Sequence, residues 1–129
     1  LPAQDPSLSV LGSYREGTYN QGAAEIVAHD PQTQRLFVVN GAKRSVDILD
    51  LRNPMQITRL GSLAIPASAG VAANSVAVRN GVVAVAVEAD PKTNPGSVAF
   101  FSSDGTFLKA LTVGALPDMI TFTPDGTKV

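Results

Sequence analysis

The stretch from Ser75 to Glu88 constrains the fold more than any other part of the sequence. Val76 and Val78 alternate with other residues in its first half, Asn80-Gly81 follows, and every residue from 82 to 87 is Val or Ala. Asn-Gly is the strongest two-residue signal for a β-hairpin, because a type I′ turn requires positive φ at both central residues. A continuously apolar strand is typical of one covered on both faces. We therefore predict a buried hairpin with an exposed turn, and buried side chains at Val76, Val78, Val83, Val85 and Val87.

The sequence on either side repeats this pattern. First strands are predicted at 24–29, 74–79 and 117–122, so the unit recurs after 50 and then 43 residues. Second strands follow at 35–39, 82–87 and 128–129, third strands at 45–50 and 97–102, and fourth strands at 57–63 and 106–113. Four strands per unit and a period of about 40–50 residues are typical of a β-propeller.

The sequence thus predicts an all-β fold, a β-propeller of four-stranded antiparallel blades. Its parts are a closing outer strand at 7–14, a first blade at 23–66, a second blade at 74–113 and the start of a third blade at 117–129. The 7–14 segment is placed as a fourth strand because Leu11-Gly12-Ser13 repeats Leu60-Gly61-Ser62. An all-β sandwich is the alternative, and a parallel β-helix fits less well because hairpin turns require antiparallel pairing.

Two and a half blades would leave strand edges and sheet faces without partners. We therefore expect these 129 residues to be part of a longer chain, or to pair with other chains that supply the missing strands. A fragment with low net charge and high β-propensity could instead assemble into β-rich fibrils.

Composition excludes several classes of function. The chain is 44% hydrophobic and 16% charged, as expected of a globular protein, and it has no cysteine for disulfides or thiolate chemistry. Ten basic and eleven acidic residues give a net charge of −1, and the basic residues are scattered, which argues against nucleic-acid binding. The longest apolar runs are far below the roughly 18 residues that a membrane span requires.

The segment 36–50 (LFVVNGAKRSVDILD) resembles the repeat of YVTN-type bacterial surface propellers. The wider pattern resembles the choice-of-anchor I family, on the matching pieces AAEIVA at 23–28, NSVAV at 74–78, VAVE at 85–88 and GALPDMITFTPDG at 114–126. This resemblance covers the chain from about Leu8 onwards. It implies an exported or surface-anchored bacterial or archaeal propeller with seven blades, and it implies no reaction, because the family's propeller has no well-established activity.

Polar side chains recur at one end of the predicted blades. In a propeller, the start of each first strand and the loop between the second and third strands lie on one face, around the central channel. The candidate ligand-binding residues at these places are Glu25, Asn40, Asn74, Ser75, Glu88, Asp90 and Asp118. Their oxygen atoms suit a hard cation or a polar ligand, and we expect Glu25 and Asp118 to contribute to a calcium site. The alternative is that these side chains only cap strand ends.

No catalytic residue is predicted. The only histidine, His29, is expected in a surface turn without catalytic partners, and Asp47 and Asp50 are expected at strand edges and turns. The favoured function is an extracytoplasmic binding or surface-assembly module, secreted or on the cell surface, with a polar ligand or a protein as partner. The alternative is a propeller hydrolase of phosphate-ester type, with a metal at the channel mouth and further ligands from additional blades.

Overall fold

We describe the chain from a computed structural model, in which residues 4–17 and 19–129 are placed. In that part of the chain, eight strands form two antiparallel sheets. Sheet 1 has the order β1-β2-β3-β4 and consists of β1 (Ala24–Asp30), β2 (Arg35–Asn40), β3 (Ser45–Asp50) and β4 (Thr58–Ser62). Sheet 2 has the order β5-β6-β7-β8 and consists of β5 (Ala72–Arg79), β6 (Val82–Glu88), β7 (Pro95–Ser102) and β8 (Phe107–Ala115). The predicted all-β architecture of four-stranded antiparallel sheets is confirmed.

The hairpin between Ser75 and Glu88 forms as predicted. Asn80 and Gly81 have φ values of 49° and 77°, as a type I′ turn requires, and Arg79 pairs with Val82 across the turn. The side chains of Val76, Val83, Val85 and Val87 are buried, whereas Val78 is half-buried at the edge of the core. Each of the eight strands begins and ends within two residues of its predicted bounds.

The core lies between the two sheets. From sheet 1, Phe37, Val39, Val46 and Ile48 point into it; from sheet 2, Val76, Val83, Val85, Val87, Ala99 and Phe101 meet them. Strand β5 lies against β1 and β2, so the first strands of the two sheets are neighbours. Small residues at Ala69, Ala73 and Ala99 allow this close approach, because interiors pack without voids.

Three predicted strand segments do not form strands. Residues 7–14 have no ladder partner, and the backbone at Gly12 runs so close to Pro54 that an added Cβ would lie 2.0 Å from the Pro54 carbonyl oxygen. Residues 117–122 and 128–129 also lack strand pairing, although the Thr123 amide donates to the Lys128 carbonyl oxygen across the turn between them. The division of the chain into blades stays a prediction.

Side-chain hydrogen bonds from sheet 2, and not a ladder of backbone hydrogen bonds, hold the 117–124 segment in place. Asn74 Nδ2 donates to the Pro117 carbonyl oxygen at 3.0 Å, and the Ile120 amide donates to Ser75 Oγ at 3.3 Å. Arg79 donates to the carbonyl oxygen of Pro124. The segment therefore runs alongside β5, as β5 runs alongside β1.

The burial pattern predicts that Val85→Asp prevents folding, because an unpaired carboxylate would enter a fully buried position (0% exposed). The matched control is Val27→Asp, also in a strand but 58% exposed, which should unfold within about 0.5 kcal/mol of the parent. Circular dichroism and thermal unfolding measure both. A Val85→Asp protein that melts at the parental temperature would contradict the strand assignment.

Candidate functional site

A buried polar network lies in the middle of sheet 1, where the sequence predicted only strand edges and turns. Asp47 is 3% exposed at the centre of β3, and its Oδ2 accepts a hydrogen bond from Asn40 Nδ2 at 2.9 Å. Its Oδ1 accepts from Arg59 Nε at 3.1 Å and from Ser62 Oγ at 2.7 Å. The expectation of a strand-edge Asp47 is wrong, because β2 and β4 cover it on both sides. Asp50 does lie at the end of its strand, paired with Arg52 at 2.5 Å.

The network determines the charge state of Asp47. Burial alone would raise the pKa of this carboxyl, but the hydrogen bonds from Asn40, Ser62 and Arg59, with the charge of Arg59, outweigh burial and hold it below its usual value. The carboxylate is therefore charged at neutral pH and links three strands of sheet 1. This role is structural, and it uses Asn40, one of the predicted ligand-binding residues.

A cleft of about 340 Å³ opens between the two sheets, at the end where β1 and β5 begin and β2 and β6 end. It brings together four of the predicted ligand-binding residues: Glu25, Asn74, Glu88 and Asp90. The cleft also contains two basic side chains that were not among the predicted site residues, Arg44 and Lys92. Three carboxylates and two cations thus face one space.

Glu88 is fixed in one wall of the cleft. It is 8% exposed, its Oε2 accepts a hydrogen bond from Asn74 Nδ2 at 3.0 Å, and Lys92 Nζ lies 3.4 Å from its Oε1. Since Asn74 also donates to Pro117, the amide joins the cleft wall to the 117–124 segment. The carboxylate of Glu88 is thus already partnered within the protein.

Two glycines make room for Glu25 in the opposite wall. A Cβ at Gly41 would lie 2.8 Å from Glu25 Oε1, and one at Gly22 would lie 3.2 Å from the same atom. Both distances are shorter than an ordinary van der Waals contact, so the Glu25 carboxylate occupies space that a side chain at position 41 would need. The Gly41 amide donates to the Ala23 carbonyl oxygen at 3.0 Å, which holds these two loops together.

The remaining predicted residues lie elsewhere. Asn40 is buried in the Asp47 network, Ser75 Oγ accepts the Ile120 amide, and Asp118 is exposed and does not line the cleft. Glu25 and Asp118, the predicted calcium ligands, are therefore not brought to one cleft. Within residues 4–17 and 19–129, no group of three or more His, Cys, Asp or Glu side chains is arranged to hold a metal ion. Calcium binding stays a prediction.

His29 lies on the surface of β1. Its Nε2 is 3.3 Å from Gln34 Oε1, and the ring is exposed. It lies outside the cleft and has no acidic partner in this contact.

Comparison with known proteins assigns the family. The profile of the choice-of-anchor I domain matches residues 25–129, which is most of the chain. The chain belongs to the choice-of-anchor I family. Membership indicates a surface-associated β module, in agreement with the resemblance seen in the sequence. No curated protein matches the chain.

Among solved structures, the hydrazine synthase of Kuenenia stuttgartiensis is similar to this choice-of-anchor I domain. The two share a TM-score of 0.63 and 22% sequence identity, over 88% of this chain and 31% of that one. This chain therefore spans less than a third of the length of the similar protein chain, and at this identity the likeness concerns the fold alone. The part of the domain that the structure describes includes no helix able to span a membrane.

The Asp47 network predicts an acid-sensitive contribution to stability. Because the pKa of Asp47 is lowered in the folded state, its contribution is present above the unfolded pKa of about 4 and is lost as the pH falls below it. Asp47→Asn should lower the unfolding free energy by about 2 kcal/mol at pH 7 and by less at pH 3. Urea unfolding at several pH values measures this, with Asp118→Asn as the control. Equal losses at pH 7 and pH 3 would contradict the assigned ionisation.

Proposed function

We propose that this choice-of-anchor I domain is an extracytoplasmic, surface-associated binding module that holds a polar ligand in the cleft between its two sheets, without catalysis of its own. The observation that carries the proposal is the convergence of Glu25, Asn74, Glu88 and Asp90 on one cleft. Four candidates from separate loops and strand ends meet there. Such grouping of a few polar groups in a concave site is typical of ligand recognition.

The composition of the cleft is compatible with ligand binding. Among the described residues that line it, none is Ser, Thr, Cys or His. Its reactive groups are carboxylates, one side-chain amide, one guanidinium and one ammonium. These groups position ligands by hydrogen bonds and ion pairs.

The position of the cleft also supports recognition. Glu25, Asn74 and Glu88 lie on strands, so strands carry three of the four polar side chains. Glu25 and Asn74 lie at irregularities of the β1–β2 and β5–β6 ladders, and such bulges re-aim side chains. Sites built on strands are held more accurately than sites built on loops. Carboxylate and amide oxygens are also ligands of calcium, so calcium is included among the probes that test the cleft.

We also propose that further strands, from the same protein or from other chains, cover the side of sheet 2 that faces the 117–124 segment. Val98, Val113, Met119, Ile120 and Val129 line an open apolar cleft of about 350 Å³ there. Met119 is 78% exposed in this position. We expect another sheet with a branched apolar face to fill this space, in the way that sheet 2 packs against sheet 1.

Amide-resolved NMR titration tests the binding function. Labelled protein is titrated with calcium chloride, inorganic phosphate, a neutral disaccharide and the tripeptide trialanine. We expect at least one of these probes to shift the amides of Gly41, Ala73 and Ala89 saturably, because these amides border the cleft.

The paired variants Glu25→Gln and Asp118→Asn locate the effect. Both remove one acidic charge, but only Glu25 lines the cleft. Binding should weaken in Glu25→Gln and stay at the parental level in Asp118→Asn. If none of the four probes shifts the cleft amides, or if both variants weaken binding equally, the binding function assigned to this cleft is wrong.

A further inference from the structure

We infer that the ligand of the cleft is a zwitterion, a small molecule that carries a primary ammonium group and a carboxylate, such as a short peptide. This inference rests on the proposed function and specifies the chemical class of the ligand. It follows from which charges in the cleft are already neutralised by the protein and which are not.

The cleft keeps charges of both signs free. The carboxylate of Glu88 is occupied by Asn74 and Lys92. None of the ion pairs formed by the described residues uses Glu25, Asp90 or Arg44, although all three side chains line the same cleft. Two acidic groups and one guanidinium therefore remain for a ligand.

A bare metal ion fits this set poorly. Calcium takes six to eight oxygen ligands, and the described residues include no cluster of three acidic or histidine side chains to begin such a shell. Arg44 and Lys92 in the same cleft would also repel a compact cation. An ammonium group needs only about three acceptors, because it has three donors, and carboxylates provide them.

The guanidinium of Arg44 supplies the complementary half of the site. Guanidinium groups bind carboxylates through two parallel hydrogen bonds, so Arg44 is suited to the anionic end of the ligand. The Ala73 amide of sheet 2 approaches the Arg44 carbonyl oxygen at 3.4 Å, so the turn that carries Arg44 touches the other sheet. Glu25 and Arg44 come from sheet 1 and its turn, while Asp90 follows β6 in sheet 2. A bound zwitterion would therefore contact both sheets.

The volume of the cleft suits a small molecule. The cleft measures about 340 Å³, near the lower end of the roughly 300–1,000 Å³ that is usual for ligand sites. A di- or tripeptide is of this size class. No aromatic side chain lines the cleft among the described residues, so stacking on a sugar or base does not contribute to recognition.

Calorimetric titration with three related peptides tests this inference. The probes are trialanine, N-acetyl-trialanine, which lacks the ammonium group, and trialanine amide, which lacks the carboxylate. We expect trialanine to bind at least tenfold more tightly than either blocked form, because each blocked form leaves one charged group of the cleft without its partner. Calcium chloride is titrated in a separate arm.

Two variants assign the ends of the peptide to residues. In Glu25→Gln, the preference for trialanine over its N-acetyl form should fall at least threefold, while the preference over the amide is kept. In Arg44→Gln, the opposite pattern is expected. Lys109→Gln, which changes an exposed charge on β8 outside the cleft, is the control and should leave both preferences unchanged.

The outcomes separate this inference from the proposed function. If both blocked peptides bind as tightly as trialanine, or if calcium binds at the cleft and trialanine does not, the zwitterion inference is wrong and the binding function stands. If neither the peptides, calcium, phosphate nor the disaccharide perturbs the cleft amides, both are wrong.

Discussion

The packing of branched apolar side chains between the two sheets is the interaction on which the rest of the structure depends. Phe37 and Val39 of β2 are fully buried against the face of sheet 2 that carries Val83 and Val85. Each such side chain stabilises the fold by about 1.5–3 kcal/mol when it leaves water. A single four-stranded sheet with only one covered face would have no comparable core. The two sheets therefore stabilise each other, and neither is an independent scaffold for the site.

The polar cleft is a consequence of this packing. The walls belong to different sheets, with Glu25 and Gly41 on one side and Asn74 and Glu88 on the other. The strand ends meet because β5 lies against β1 and β2. Charges that would be scattered along an extended chain are thus collected at one end of the molecule, where water and ligands can reach them. The buried Asp47 network differs, because it joins strands within sheet 1.

The sequence was sufficient to predict most of the fold. Asn80-Gly81 strongly favours a type I′ turn, and the Val-Ala strand that follows it buries its side chains only where sheets cover both of its faces. The hairpin and its repeats could therefore be predicted from the sequence. The segments 7–14 and 117–122 could not be judged in this way, because a strand requires a partner as well as a suitable sequence. The family match to residues 25–129 agrees with the predicted resemblance.

The candidate site was predictable only in part. The repeat pattern predicted a shared site for Glu25, Asn74, Glu88 and Asp90, because equivalent strand ends lie close together in stacked sheets. Arg44 was missed because a basic residue in a turn normally indicates no more than a solvated surface. Asn40 is occupied by its hydrogen bond to Asp47 of β3, whose other carboxylate oxygen accepts from Arg59 and Ser62 of β4. Local sequence carries no signal for this network across three strands.

Native-state amide hydrogen exchange tests the central claim most directly, which is that inter-sheet packing makes the two sheets one cooperative unit. The core amides of Phe37 and Val46 in sheet 1 and of Val85 and Ala99 in sheet 2 should exchange with the same free energy of opening, equal to that of global unfolding. If the amides of one sheet opened at a free energy several kcal/mol below those of the other, the sheets would be independent, and the account of a cleft held by their packing would be wrong.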